Sequence, residues 1–220
     1  PVSNDKKSRV AAGIPTLFWY ADSIKNLSMI VKMKRLLLLI TAAISVVGCA
    51  NQGPSHIALN PEVPAIELQT ESALPVALET IDTRSANFIV RFNDGDKAAR
   101  LVSPSEAPRV QMDQVFRDGF TQAGYRIDPG SVKHMQIQLE QLLTDVDEGT
   151  FGFEANSQVI INVIAKNANQ ELTKRYRAKG LLKGPFGADF ATLELEMNKL
   201  IGELTQNIIN DPELNQFIQQ

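Results

Sequence analysis

Side chains suited to covalent or acid–base chemistry are scarce in this chain, which has one cysteine and two histidines among 220 residues. His56 lies in a proline-containing stretch, and His134 begins a predicted strand. A serine nucleophile needs a base held by an orienting group, and no G-x-S-x-G motif is present. Two histidines and one cysteine are too few for a usual zinc site. The sequence therefore predicts a protein that is not an enzyme, with no catalytic residue, no metal and no cofactor.

An acidic cluster is the other arrangement that could bind an ion. Asp145, Asp147 and Glu148 precede Gly149 and faintly resemble a calcium loop. An EF-hand loop needs a glutamate at its twelfth position, where this sequence has Asn156. We therefore expect a solvated turn here, and no pair of carboxylates stands out for sugar cleavage.

Cys49 is the one residue whose surroundings indicate a defined reaction. A positive pair, Lys34-Arg35, precedes an uncharged apolar run over 36–47, which is typical of a secretory signal. The run is shorter than the roughly 20 residues that a membrane-spanning helix needs. A buried core helix is the alternative, but such a helix would show polar residues at a period of 3.6. The sequence therefore predicts a signal peptide over 33–48.

The end of this signal, Val46-Val47-Gly48-Cys49, resembles a bacterial lipobox. The resemblance implies that the Cys49 thiol receives a diacylglyceryl group and that the leader is cut before it. The new amino terminus is then acylated, with palmitate as the expected chain, and several buried chains give a lasting anchor. Ala50 follows, where an aspartate tends to hold such proteins in the inner membrane. Its absence implies the periplasmic face of the outer membrane.

Four segments follow from this interpretation. Residues 1–32 precede a complete signal, so we expect a spurious upstream extension; a genuine long n-region is the alternative. Residues 33–48 are the signal peptide, and 49–73 form a lipidated, proline-containing tether. Residues 74–220 form a periplasmic domain.

Net charge limits the partners of the mature chain. Residues 1–48 hold seven of the 22 basic and two of the 25 acidic side chains, which leaves 15 basic and 23 acidic side chains in residues 49–220. That formal charge of −8 argues against nucleic-acid binding and against electrostatic attachment to anionic headgroups. One basic row, Arg175, Arg177 and Lys179, shares a face of the predicted strand 172–179 and could bind an anion or an acidic partner. An exposed strand kept soluble by its charges is the alternative.

Hydrophobic periodicity predicts the order β-β-α-β-β-β-β-α with a short final helix. Two helices over 112–123 and 190–208 each carry one apolar stripe. Gly124 after the first and Asp189 before the second are the expected caps. Strand 157–165 is apolar on both faces, so its second face needs cover from the tether, a helix or another subunit. We expect an α+β fold, a two-layer sandwich with a mostly antiparallel sheet and two amphipathic helices on one face.

Several motifs resemble the YajG family of bacterial outer-membrane lipoproteins. They are the leader ending at Cys49, the strand Val76–Ile81 running into Asp82-Thr83-Arg84, and the helix ending Ala123-Gly124-Tyr125. The resemblance implies an α+β periplasmic domain in the envelope and transfers no catalytic residue. The leading hypothesis is a non-enzymatic domain that binds an envelope protein or copies of itself. The alternatives are an accessory lipoprotein of a lipid or glycan transport system, and a cell-wall-binding module or hydrolase.

Overall fold

The computed structural model describes residues 56–93, 95 and 98–220. Cys49, the predicted signal over 33–48 and the expected extension over 1–32 lie outside the described residues. The described part forms eight strands and three helices. In chain order these are β1 His56–Ile57, β2 Pro75–Asp82, β3 Val90–Asn93, β4 Arg100–Pro104, α1 Pro108–Gln122, β5 Arg126–Ile127, β6 His134–Glu148, β7 Gly152–Lys166, β8 Glu171–Pro185, α2 Phe190–Ile209 and α3 Pro212–Gln219.

The sheet is built around β6, which is long enough to pair with two shorter strands along one side. The first half of β6 lies parallel to β2, with Ala77 opposite His134, and its second half lies parallel to β3, with Val90 opposite Thr144. On its other side β6 pairs antiparallel with β7, which pairs antiparallel with β8. β5 extends the sheet beyond β2, and β4 and then β1 extend it beyond β3.

The expected fold class, a two-layer sandwich with a mostly antiparallel sheet, is wrong. The sheet is mixed and curled, and four of its seven strand pairings are parallel. The pairing of β2 with β6 is parallel because the chain leaves β2 and crosses through β3, β4, α1 and β5 before it returns as β6. Alternating hydrophobicity shows which side chains share a face, but it does not show which strand lies alongside.

The apolar stripes predicted for the helices are buried. In α1 they contribute Met112, Phe116 and Phe120 to the core, and in α2 they contribute Leu193, Met197 and Ile201. Asp189 caps α2 as predicted, because its side chain accepts a hydrogen bond from the Thr192 N–H at 3.0 Å. The helices contact β2, β5, β7 and β8. None of the described helices combines the length and the apolar character that crossing a bilayer requires.

Residues 56–73, which belong to the predicted tether, pack on the domain. Ile57 and Leu59 are buried, and the N–H groups of Gln69 and Thr70 donate to the carbonyl of Ala123 at 2.9 and 3.2 Å. The next residue, Gly124, has φ +94°, and a Cβ there would lie 1.9 Å from the Thr70 carbonyl oxygen. Only glycine fits this helix end, both for its backbone and for the strap that crosses it.

Candidate functional site

The three residues of the basic row lie together on the outward face of β8. Residues along this strand alternate between exposed and half-buried over its whole length, and Arg175, Arg177 and Lys179 are all exposed. Arg175 forms an ion pair with Glu140 on β6 at 2.7 Å. Arg177 and Lys179 form no ion pair within the described ranges. Two cations of the row are therefore available to a ligand.

β8 is also a free edge of the sheet, because among the described strands it pairs only with β7. It is 15 residues long, so the backbone N–H and C=O groups along its outer side have no strand to pair with. Long edges of this kind bind other chains unless charges or bulges prevent it. The positive charge of this edge disfavours basic partners and favours acidic ones.

The inward face of the same strand has a different role. Lys174 forms ion pairs with Asp211 at 2.6 Å and with Glu213 at 2.8 Å. The Tyr176 hydroxyl donates to Asp211 at 2.9 Å, and Asp211 caps α3 by accepting from the Leu214 N–H at 3.0 Å. These contacts join β8 to the junction between α2 and α3. We call Lys174, Tyr176, Asp211 and Glu213 the junction cluster.

Charge and burial in the junction cluster shift three pKa values. Burial raises the pKa of Asp211, but hydrogen bonds from Lys174, the Leu214 N–H and Tyr176 outweigh it and leave the pKa below its usual value. Burial lowers the pKa of Lys174, but the two carboxylates leave it raised overall. Burial and the Asp211 carboxylate both raise the pKa of Tyr176. Lys174 and Asp211 are thus held in their charged forms, and Tyr176 stays neutral, across the neutral range.

Amide side chains form a hydrogen-bonded row across the outward face of β6 and its neighbours. Gln136 donates to Glu79 at 2.7 Å, and Gln138 donates to Gln136 at 2.7 Å. Asn162 on β7 donates to Gln138 at 3.2 Å. The outward face therefore changes from acidic at β2, through neutral amides, to basic at β8.

The second face of β7 is covered by neighbouring side chains and not by a helix. Ile160 points to the outward face, yet it is only 4% exposed. The register places Gln141 of β6 and Arg177 of β8 on either side of it. Long polar side chains can cover apolar neighbours with their aliphatic stems. The apolar outward residues of β7 therefore do not by themselves require another subunit.

The acidic cluster lies within β6 and not in the expected turn. Asp145 forms an ion pair with Arg91 at 2.5 Å, and Asp147 accepts a hydrogen bond from Asn93 at 3.0 Å. Glu148 accepts from the Ala188 N–H at 2.9 Å. These carboxylates already have partners from two different parts of the chain, β3 and the residues before α2. Within the described ranges no group of three or more His, Cys, Asp or Glu side chains is arranged to hold a metal ion.

A second possible site lies where β2 ends and β3 begins alongside β6, a gap that we call the break in the sheet. The residues between β2 and β3 form a loop beside β6, where the register of β6 shifts between Leu139 and Gln141. Arg84 lies in this loop, and its side chain is 7% exposed. β-Bulges of this kind occur often beside functional sites. The loop and the bulge together place a buried guanidinium at the point where the sheet is interrupted.

Three depressions follow one another from β8 to this break. The first, of about 340 Å³, is lined by Lys179 and shares Gln141 and Leu143 with the second, of about 320 Å³. The second shares Arg84 and Ala86 with the third, of about 500 Å³, which reaches the start of α1. The basic row and the break in the sheet thus belong to one surface.

Sequence reasoning did not identify Arg84 as a candidate residue. Asp82-Thr83-Arg84 was one of the motifs behind the family resemblance, but its local signal was only that of a turn. Burial of Arg84 depends on β4, α1 and β6, which lie 16 or more residues further along the chain. His134, at the start of β6, and His56, at the start of β1, are not part of any of these depressions.

Comparison with known proteins agrees with the resemblance found in the sequence. The chain is 24% identical over 190 residues to the uncharacterized lipoprotein YajG of Escherichia coli K12, covering 85% of this chain and 97% of that protein. The YajG of Escherichia coli O6:H1 matches equally. Protein XCC0632 of Xanthomonas campestris, a solved structure of family DUF330, has a similar fold, with a TM-score of 0.51 at 10% identity over 74% of this chain and 98% of that one.

The match to a family model extends over most of the domain. The model Lipoprotein_16, described as uncharacterized lipoprotein, matches residues 61–219. That range contains every strand from β2 to β8 and all three helices. A lipoprotein family implies a membrane-anchored protein of the cell envelope. The chain belongs to this family of lipoproteins, the one that includes YajG.

Proposed function

We propose that this chain is an outer-membrane lipoprotein, anchored through lipid on Cys49, whose periplasmic domain is not an enzyme and binds another envelope protein. One observation carries the binding function. The edge strand β8 is 15 residues long, has one neighbour among the described strands, and exposes Arg175, Arg177 and Lys179 on a chain that is acidic overall. An extended acidic segment of the partner would add a strand to this edge, which is a common mode of peptide recognition.

Charge argues against a second copy of this chain as the partner. If two β8 strands paired antiparallel around Ala178, Arg177 of one copy would face Lys179 of the other. Like charges directly opposite each other destabilise a strand pair. An acidic strand would instead neutralise the row and use the free backbone groups. The partner we expect is therefore a different protein with an exposed acidic segment.

The anchor is tested by the intact mass of the protein purified from its native membranes. We expect a chain that begins at Cys49 and carries the added mass of acyl groups, found in the outer-membrane fraction of a density gradient. Cys49→Ser is the control and should carry no acyl mass. An unmodified chain in the inner-membrane fraction would contradict the anchor.

The binding surface is tested by a photo-crosslinking residue placed at Arg177 in cells. The matched control carries the same residue at Leu195, which is exposed on α2, the helix that packs on the inward face of β8. We expect a discrete adduct with another envelope protein from position 177, lost when Arg175 and Lys179 are changed to glutamate. Equal adducts from both positions, or an adduct only with a second copy of this chain, would contradict the proposal.

A further inference from the structure

The end of the sheet where β6 turns into β7 carries two phenylalanines that the core does not use. Phe151, in the turn, is 92% exposed, and Phe186, directly after β8, is 83% exposed. Phe153, two residues after the first, is by contrast half-buried and packs against the core. A phenylalanine that enters a core or an interface buries about 150–250 Å². We call Phe151 and Phe186 the aromatic tip, and both of its rings are available to an apolar environment outside the domain.

The two loops that carry the aromatic tip are held side by side. The residues next to the rings in sequence, Gly152 and Pro185, lie opposite each other at the last register position of β7 and β8. Glu148, at the end of β6, accepts a hydrogen bond from the Ala188 N–H at 2.9 Å. The segment after β8 is therefore fastened to the β6–β7 turn, and the tip is one surface.

The backbone at Phe186 is strained. Its φ is +65°, in the left-handed region. A bulky residue seldom adopts this conformation, which glycine adopts without strain. Such strain persists only where the surrounding structure enforces it, and it is concentrated at functional sites. An exposed ring thus occupies a position where the local backbone favours glycine.

The amino-terminal end of β1 faces the end of the sheet that carries the aromatic tip. β1 lies parallel to β4, with His56 opposite Ser103. β4 runs away from the tip, because Arg100 at its start lies opposite Phe92 near the end of β3. β3 in turn runs parallel to the last part of β6 and towards the β6–β7 turn.

Covalent reach limits which end of the sheet can lie near the lipid anchor. Through β4 and β3 the register places His56 about level with Leu143 of β6. From that level Glu148 lies about 17 Å along β6 in one direction, and His134 lies roughly 28 Å along it in the other. The three strand spacings from β1 to β6 add about 14 Å across the sheet, which gives separations of about 22 Å and about 31 Å. Cys49 precedes His56 by seven residues, which span at most about 25 Å, so the anchor reaches the tip end of β6 and not the other end.

The charges at this end do not favour anionic lipid. β6 ends in two carboxylates, Asp147 and Glu148. The ion pair between Glu154 of β7 and Lys183 of β8, at 2.7 Å, adds no net charge. Attraction to anionic headgroups needs a basic surface. Insertion of apolar side chains between headgroups and acyl chains is driven by burial of apolar area, so the aromatic tip suits a bilayer surface without such attraction.

We propose that the aromatic tip inserts into the interface of a phospholipid bilayer, beside the lipid anchor. The inference rests on the proposed lipidation of Cys49, which brings the membrane to this end of the sheet. The rings enter the boundary between headgroups and acyl chains, where the apolar side chains of membrane-surface proteins lie. β8 then leads away from the membrane, and Lys179 of the basic row lies seven residues before Phe186, about 23 Å along the strand. The edge proposed for the partner stays above the headgroups.

Tryptophan fluorescence of the full lipidated protein tests the aromatic tip. Trp19, the only tryptophan of the chain, precedes the predicted cleavage site, so the cleaved protein has no background. Phe151→Trp and Phe186→Trp each place one indole at the tip. Val132→Trp is the matched control, at an exposed position just before β6 and thus at the opposite end of the sheet. Each protein is purified from its own membranes and reconstituted into phosphatidylcholine vesicles with or without bromine on the acyl chains.

We expect brominated chains to quench most of the fluorescence of both tip variants and to leave the control unquenched. The emission of the tip variants should also shift to shorter wavelength when vesicles are present. Added salt should not change the quenching, because insertion does not depend on anionic headgroups. Equal quenching of tip and control, or no quenching of the tip, would overturn the proposal. So would quenching that appears only with anionic lipid and is lost in salt.

Intact mass of each reconstituted protein separates this inference from the proposed anchor. Acyl mass together with an unquenched tip would overturn the insertion and leave the anchor standing. Absence of acyl mass would contradict the anchor and, with it, this inference. A photo-crosslinking residue at Phe151 in cells gives a second measurement, for which we expect no discrete protein adduct. An adduct from that position would assign the tip to a protein partner and overturn the lipid assignment.

Discussion

The two faces of β8 show how one strand serves two roles. Its inward residues Lys174 and Tyr176 contact Asp211 at the junction of α2 and α3, and their charges and hydrogen bonds are satisfied there. Its outward residues Arg177 and Lys179, one and three positions beyond Tyr176, are exposed and have no ion pair in the described part of the chain. Successive side chains of a strand point to opposite faces, so charges that are neighbours in sequence face entirely different surroundings.

The two faces therefore contribute to different properties: the inward face to folding stability and the outward face to partner binding. The inward charges are partly desolvated and hold α3 against the sheet, so removing them exposes or unpairs buried groups. The outward charges are hydrated, and exposed charges contribute little to folding. We therefore expect inward substitutions to lower the free energy of unfolding and outward substitutions to change only partner binding. The following predictions test that division.

The largest effect is expected from Asp211→Ala. This change removes the cap of α3 and leaves the Lys174 ammonium and the Tyr176 hydroxyl without their shared acceptor. Loss of a cap costs about 1 kcal/mol, and breaking a mostly buried ion pair adds to it. We expect the free energy of unfolding to fall by about 3 kcal/mol in urea denaturation. A loss below about 0.5 kcal/mol, the usual range for surface changes, would show that the junction cluster is not structural.

The pH dependence of the same residue should be smaller but specific. Because the pKa of Asp211 is lowered in the folded protein, its contribution is present above its unfolded pKa of about 3.9 and is lost as pH falls through the folded pKa. The advantage of the wild type over Asp211→Asn should therefore shrink as pH is lowered from about 5 towards 2. Urea denaturation of both proteins across that range measures it. A constant difference would contradict the assigned shift.

Tyr176→Phe should have a moderate effect. The ring stays packed against the core, and only the hydrogen bond from its hydroxyl to Asp211 is lost. A hydrogen bond to a charged group contributes about 1.5 kcal/mol, so we expect a loss of about 1–1.5 kcal/mol in the unfolding free energy. Thr173→Ala, on the outward face of the same strand, is the control and should change it by less than about 0.5 kcal/mol.

The smallest effect on stability is expected from changing Arg175, Arg177 and Lys179 together to glutamine. Only Arg175 loses an ion pair, at a position where both partners are partly exposed. The free energy of unfolding should change by less than about 1 kcal/mol, while binding of the partner that crosslinking identifies is lost. A large loss of stability with binding intact would reverse the roles assigned to the two faces.

Local patterns in the sequence were sufficient for the apolar faces of the helices and for most of their ends, but α1 begins at Pro108, four residues before the predicted start. The apolar stripes of α1 and α2, the cap at Asp189 and the glycine at position 124 follow from helix geometry. They were predicted because each depends on residues within one or two turns. The same locality explains why the alternation along β8 identified the basic row.

Three features could not be obtained from local pattern. Asp145–Glu148 was interpreted as a turn because it is acidic, but Arg91, Asn93 and the Ala188 N–H supply partners that allow it to extend β6. The parallel pairing of β2 and β3 with β6 depends on a crossover of dozens of residues. Arg84 is buried only because distant elements surround it.

The sequence by itself determined the lipoprotein character of the chain, the alternation along its strands and the faces of its helices. These properties depend on the order of neighbouring residues, which fixes the period of side chains along a helix or strand. Only the tertiary structure decided which strands became neighbours, which end of the sheet remained open and which arginine was buried. Those outcomes depend on contacts between residues far apart in the chain. Burial and strand pairing stabilise several distant elements together, and no short stretch of the sequence contains all of them.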